Sequence, residues 1–184
     1  MIDKYLWPDD PWACAEPELV QCIYTEKLRI AELVQAKSVL EIGVRAGYFA
    51  AMFLSAGANV YTGLDATDTW GGTPGAVDFA RESLPRHFPS SSITIHTVSS
   101  QTINSLKQYG THDLIHIDGD HSLEGCLHDL YLALLADPKW ILIDDTKYMH
   151  ETCGIAAYSF TGKHRLPYII LDTIRGDMLI QVRQ

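Results

Sequence analysis

Two short stretches concentrate acids in a pattern that can do chemistry. The first reads Asp113-Leu-Ile-His-Ile-Asp118-Gly-Asp120-His121-Ser-Leu-Glu124, and the second reads Trp140-Ile-Leu-Ile-Asp144-Asp145-Thr146. Each is an apolar run that ends in carboxylates. If the runs are neighbouring parallel strands, about 4.8 Å apart, Asp118, Asp144 and Asp145 converge. Three crowded carboxylates do not all stay ionised without a cation. An all-oxygen set suits magnesium, or manganese or calcium, and leaves positions for water and a substrate. The plainer alternative is three acids that cap helices and turns. A lone Asp-Asp would favour it, but acids on both strand ends, in the cleft where α/β sheets bind ligands, favour a metal. His116 lies inside its apolar run and reads as a packed core residue. Lys147 either orients an alkoxide or is simply solvated.

A third stretch, Ser38-Val-Leu-Glu41-Ile-Gly43-Val-Arg-Ala-Gly47-Tyr-Phe49, points to ligand binding. A strand runs into a glycine turn and then a helix, so the backbone can approach a ligand and the helix N-terminus offers N–H groups. The glycines are spaced G-x-x-x-G, whereas a dinucleotide pyrophosphate asks for G-x-G-x-x-G, so NAD is disfavoured. Glu41 at the strand's carboxyl edge repels phosphate and can hold an ammonium group. Asp65 closes the next strand, a position that accepts hydrogen bonds from ribose hydroxyls in this topology. A ligand with a ribose, a cationic amino-acid part and no phosphate fits both acids, and S-adenosylmethionine is that ligand. The plainer alternative is an ordinary turn followed by a solvated Asp.

The elements that must position these residues alternate in period. The runs 38–42, 60–64, 93–98, 113–118 and 140–144 are short and β-rich; the stretches 46–56, 76–88, 101–109 and 123–135 read as helices. That alternation predicts a doubly wound, mostly parallel sheet covered on both faces. Two final runs, 166–173 and 177–183, flank a tight Ile174-Arg175-Gly176 turn too short for a helix, so they pair as an antiparallel hairpin and bring the sheet to seven strands. Arg175-Gly176-Asp177 spells an adhesion tripeptide, but turn chemistry explains it better. At the other end, residues 1–16 carry dense prolines and read as an irregular arm. A helix follows over 17–35, with Leu19, Ile23, Ile30 and Val34 on one face and Tyr24 and Leu28 filling the gap.

On these motifs the chain resembles the class I S-adenosylmethionine-dependent methyltransferases, from about Glu18 to Gln184. The resemblance implies one Rossmann-like methyltransferase domain over residues 1–184. It places Glu41, Gly43, Gly47, Asp65 and Asp118 with the cofactor. Two positions depart from the family pattern: Phe49 stands where Ser or Thr is frequent, and the third strand ends Val98-Ser99-Ser100 in place of Gly-Asp-Ser. Ser99 and Ser100 are then the candidates to hold the adenine. The I-D-G-D-H-x-x-E stretch is similar to the metal-dependent small-molecule O-methyltransferases that act on sugar and antibiotic hydroxyls, and to their catechol-methylating branch. That likeness implies that Asp118, Asp144 and Asp145 bind the metal and that Asp120 is the general base, with His121 as the rival base. Leu123 replaces a common Tyr on the substrate side. His150 reads as a helix start that could face the substrate.

Composition bounds the alternatives. The 184 residues carry 14 basic and 23 acidic side chains, a net charge of −9. Such a surface is a poor partner for phosphate backbones, so no nucleic-acid partner is expected. An apolar content of 47% with 20% charged residues excludes disorder. Four scattered cysteines form no C-x-x-C pair, which fits reduced thiols. No run is long enough to span a membrane, and no signal peptide is visible, so a soluble cytoplasmic protein is expected. The expected partner is a small hydroxylated acceptor, with a second copy of the chain as a candidate to complete the pocket. Two rival readings are a metallohydrolase using His116, Asp118, Asp120 and His121, and a protein that keeps the cofactor site without transfer. Trp7 and Trp12 of the arm, and the Trp70–Gly75 loop, either close the pocket or cover core.

Overall fold

The computed structural model of the protein describes residues 5–147 and 151–183. Helices α1 (Pro11–Ala15) and α2 (Pro17–Val34) precede β1 (Ser38–Ile42), α3 (Tyr48–Ser55) and β2 (Val60–Asp65). A small ladder of β3 (Thr69–Trp70) and β4 (Thr73–Pro74) leads to α4 (Ala76–His87) and β5 (Ser92–Thr97). The chain continues through β6 (Leu114–Ile117), α5 (Leu123–Ala136), β7 (Trp140–Ile143), α6 (Glu151–His164), β8 (Tyr168–Leu171) and β9 (Asp177–Gln181).

The large sheet has seven strands in the order β5-β2-β1-β6-β7-β9-β8. All neighbours are parallel except β9, which runs antiparallel to both β7 and β8. The central strands are apolar on both faces because two cores enclose them. One holds Val39, Tyr61, Leu114 and Leu142 with the apolar side of α3; the other holds Leu40, Ile115 and Ile141 with α5 and α6. Register then sets the functional edge. Ile42 pairs with Leu64 and with Ile117, and Ile117 pairs with Ile143. The next residues, Gly43, Asp65, Asp118 and Asp144, therefore stand level along the carboxyl ends, at the switch point where the strand order reverses.

Several expectations about elements are corrected. Residues 11–15 are helical: Asp10 accepts from the N–H groups of Trp12 and Ala13, and Pro11 fits the first turn. The expected helix at 101–109 is two 3₁₀ turns, Ser100–Thr102 and Lys107–Tyr109. Ser99 and Ser105 hydroxyls accept from the N–H groups of Gln101 and Lys107 and so compete with a helical ladder. In α2 the buried stripe is Val20, Ile23, Lys27, Ile30 and Ala31, while Leu19 faces solvent. The sequence reading also goes no further than a helix start for α6; His150 itself lies outside the described residues. Among the described residues no helix is long and apolar enough to cross a membrane.

A candidate active site at the strand ends

A cavity of about 620 Å³ opens over the carboxyl ends of β5, β2, β1, β6 and β7. Of the site residues expected from sequence, all but Gly47 line it. Gly47 begins α3 with φ +74°, and its face packs against Ala80, Leu84 and the Tyr5 hydroxyl, so its role is packing. Gly43, at φ +93°, is where a side chain is forbidden: a Cβ would overlap the Asp118 carbonyl, so the β1 and β6 turns touch through backbone alone.

At the β2 end, Asp65 Oδ2 accepts from the N–H groups of Val44 and Arg45 at 2.9 and 2.8 Å, and Oδ1 accepts from Thr67 N. The carboxylate thus shapes the glycine turn as well as facing the cavity. Glu41 is 1% exposed, accepting from the Tyr61 hydroxyl and facing His116 Nδ1 at 3.2 Å. Burial pushes its carboxyl well above the usual range, so Glu41 belongs to a core network that reaches the cavity wall. His116 is buried and stacked on Phe49 with ring centroids 3.5 Å apart, and burial lowers its pKa to about 3. It is a core residue, and the four hydrolase ligands do not converge. At the β5 end Ser99, Ser100 and Gln101 line the wall, and Gln101 Nε2 donates to Asp129 Oδ1 at 3.0 Å. Gln101 was not singled out from sequence, although it follows the Ser-Ser pair directly.

The acids after β6 and β7 meet cations. Asp144 Oδ1 lies 2.6 Å from Lys27 Nζ, which also lies 2.5 Å from Asp177 Oδ1. Burial alone would raise the Asp144 carboxyl, but Lys27 beside it brings it down to about 2. Asp145 is gripped at both oxygens by Arg175, from Nε at 2.5 Å and Nη2 at 2.6 Å. His121 Nε2 is 3.1 Å from Asp118 Oδ1, and that hydrogen bond raises the imidazole to about 9. Burial and the nearby Asp144 raise Asp118 to about 6. Asp120 is exposed; its Oδ1 accepts from Ser122 N, and its carboxylate occupies the space left by Gly125. Lys147 pairs with Asp172 at 2.7 Å on the surface.

The three acids expected to hold magnesium do not form an open all-oxygen set: Lys27 donates to Asp144 Oδ1, and Arg175 donates to both oxygens of Asp145. The carboxylate–imidazole group that does assemble is Asp118, His121 and Asp145, with one ligand atom from each within 4.8 Å of the others. It includes a nitrogen, which magnesium does not favour. The S-adenosylmethionine residues fit better: an acceptor carboxylate at Asp65, a side-chain-free approach at Gly43 and hydroxyl and amide groups at 99–101 share one cavity.

The arm and the loop after β2 both contribute to the cavity wall. Trp7 is core, 4% exposed, but Trp12 and Trp70 line the cavity. The Arg45 guanidinium lies 3.6 Å over the Trp70 ring and 4.9 Å from Trp12, while its Nη2 reaches both Asp10 oxygens.

Residues 40–146, more than half of the sequence, match the methyltransferase domain family. The chain belongs to this family. The class I likeness read from the glycine turn and Asp65 is thereby borne out, and the metallohydrolase reading falls. No curated protein sequence matches the chain. Among solved structures, the methyltransferase is similar in fold to the Bacillus cereus O-methyltransferase in complex with S-adenosylhomocysteine, at TM-score 0.63 and 16% identity over 99% of this chain and 95% of that one. It is also similar to the Podospora anserina methyltransferase PaMTH1 bound to S-adenosylhomocysteine (TM-score 0.60, 17% identity, 88% and 78% covered). A third is TomG of Streptomyces achromogenes, an O-methyltransferase of tomaymycin synthesis in complex with S-adenosylmethionine (TM-score 0.60, 14% identity, 88% and 79% covered).

Proposed function

We propose that this methyltransferase uses S-adenosylmethionine to methylate a hydroxyl oxygen of a small molecule. What supports the reading is one continuous cavity. It joins the ribose-accepting Asp65 and the 99–101 wall to a proton acceptor, Asp120, across the side-chain-free floor at Gly43. S-adenosylmethionine supplies an electrophilic methyl: the acceptor oxygen bonds to that carbon, the carbon–sulfur bond breaks with its electron pair staying on sulfur, and the hydroxyl proton leaves. The chain's residues do the rest. Asp65, Ser99, Ser100 and Gln101 fix the nucleoside end, and fixed geometry supplies much of the rate. Asp120 takes the proton: its Oδ2 has no protein partner among the described residues. His121, raised to about 9, is cationic at neutral pH and suits holding Asp118 in place better than accepting a proton. A small acceptor fits the net charge of −9 and the acids at the cavity, both of which repel nucleic acid.

Calorimetry with S-adenosylhomocysteine, followed by label transfer from methyl-labelled S-adenosylmethionine to a panel of sugars, catechols and matched amines, tests this. Binding and transfer to hydroxyls are expected. No binding would sink the cofactor assignment, and transfer to amines alone would sink the oxygen acceptor.

A further inference from the structure

The carboxylates after β6 and β7 carry their own counter-charge. Lys27 stands on the buried stripe of α2, 2% exposed, between Asp144 and Asp177. Arg175 comes from the opposite side, out of the turn between β8 and β9, and closes a two-point fork on Asp145. The two cations come from segments far apart in sequence, and each takes a different one of the two adjacent acids. We propose that Lys27 and Arg175 together supply the positive charge that this corner would otherwise draw from a divalent ion. Methyl transfer here then runs without a metal, with Arg175 as the group that meets the acceptor oxygen. The inference rests on the O-methyltransferase reading above and deepens it.

Two monovalent cations match the charge of one divalent ion, but they differ in where they sit. The Lys27 ammonium is sealed under the site and reaches no acceptor; it is a positioning residue that keeps Asp144 ionised and turned inward. Asp144 Oδ1 also accepts from the Asp145 N–H at 2.7 Å, so that oxygen already has two donors. An ion entering at that oxygen would have to displace a buried ammonium from one of its two carboxylates, leaving it with Asp177 alone, which is unfavourable. Arg175 is different. Its side chain is 33% exposed and lines the cavity beside Asp118 and His121. Asp145 holds Nε and Nη2, which fixes the guanidinium plane, and the Trp12 ring packs 5.4 Å from Cζ. The remaining N–H groups are donors at the cavity wall. A planar, permanently charged fork of this kind stabilises an oxygen that gains negative charge as its proton leaves. It cannot take the proton, which passes to Asp120, and no further co-reactant enters the balance.

The test is Mn²⁺ binding to the full chain, read by electron paramagnetic resonance, beside S-adenosylhomocysteine calorimetry and turnover with and without a chelator. Wild type is expected to bind no Mn²⁺ at millimolar concentration and to lose no activity to the chelator. Arg175→Gln, which removes the guanidinium fork from Asp145, is expected to gain Mn²⁺ binding, to lose about 10–100-fold in kcat and to keep its affinity for S-adenosylhomocysteine; Arg175→Lys should recover part of kcat. Submillimolar Mn²⁺ binding by wild type that disappears in Asp145→Asn would overturn the inference, as would activity abolished by chelator and restored by magnesium. If Arg175→Gln does not fold, the wild-type Mn²⁺ titration still decides. If S-adenosylhomocysteine fails to bind, the cofactor reading fails, while the Mn²⁺ result continues to judge the charge substitution separately.

Discussion

At the scale of single residues, the tasks proposed for Asp65 and Asp120 are separable. Asp65→Ala removes the carboxylate proposed to accept from two vicinal hydroxyls and uncaps the N–H groups of Val44 and Arg45. We expect S-adenosylhomocysteine affinity to fall by about 1.5–3 kcal/mol in calorimetry, the worth of hydrogen bonds to a charged group. Asp120→Asn should leave that affinity unchanged and lower turnover by about 10²–10⁴. A fully active Asp120→Asn together with an inactive His121→Ala would move the base to His121. The His121–Asp118 pair also sets a pH dependence of stability. The imidazole is raised from 6.5 to about 9 by its hydrogen bond to Asp118. A group whose pKa is raised on folding contributes fully below its unfolded value, and the contribution is lost as pH rises through the folded one. Denaturant titrations should therefore show stability falling between pH 6.5 and about 9, by up to on the order of 2–3 kcal/mol. His121→Asn should flatten that slope.

At the scale of elements, two contacts set the geometry of the sheet edge. The β1 turn touches the β6 turn through Gly43 and the Asp118 carbonyl, with no room for a methyl group. Gly43→Ala adds a clash to a strained φ of +93° and should cost at least about 2 kcal/mol in chemical denaturation. Gly72→Ala, at φ +82° with no atom within 4 Å, should cost only about 1 kcal/mol. Equal losses would mean that strain, not the close approach, dominates at Gly43. The second contact is α2 against β7 and β9 through Lys27. A charged residue four after Ile23 and three before Ile30 stands on the apolar stripe of a helix, and that spacing is a signal of a buried cation with partners elsewhere.

At the scale of the whole molecule, the cavity is assembled from the arm, five strand ends and the β8–β9 turn, so a ligand bound there should stabilise the native chain as a unit. At a hundredfold excess over Kd, S-adenosylhomocysteine should add about 2.7 kcal/mol. For a chain of this length that raises Tm by about 5–11 °C, readable by calorimetric melting. NAD should give no shift. The net charge of −9 is a property of the whole surface, and fluorescence anisotropy with duplex or single-stranded RNA should show no salt-dependent association.

The sequence by itself determined the sheet and most of the cavity wall. The short β-rich runs are local patterns, four of the first five end in or run into Gly or Asp, and the parallel register of such runs leaves their last residues level. Gly43, Asp65, Asp118 and Asp144 were therefore legible as one edge before any contact was known. What only the tertiary structure decided is which charges meet. Lys27 is 117 residues from Asp144 and 150 from Asp177, and Arg175 is 30 from Asp145. No local pattern encodes such pairs, because a side chain's partner is fixed by how α2 and the β8–β9 turn pack onto the sheet. The same holds for Gly47: its position after the turn suggested a ligand contact, and the packing of α4 made it a close approach to Ala80 and Leu84. Metal affinity depends on which carboxylate oxygens remain open, and that is a tertiary property: burial forces each acid to find a cation, and the fold delivered Lys27 and Arg175.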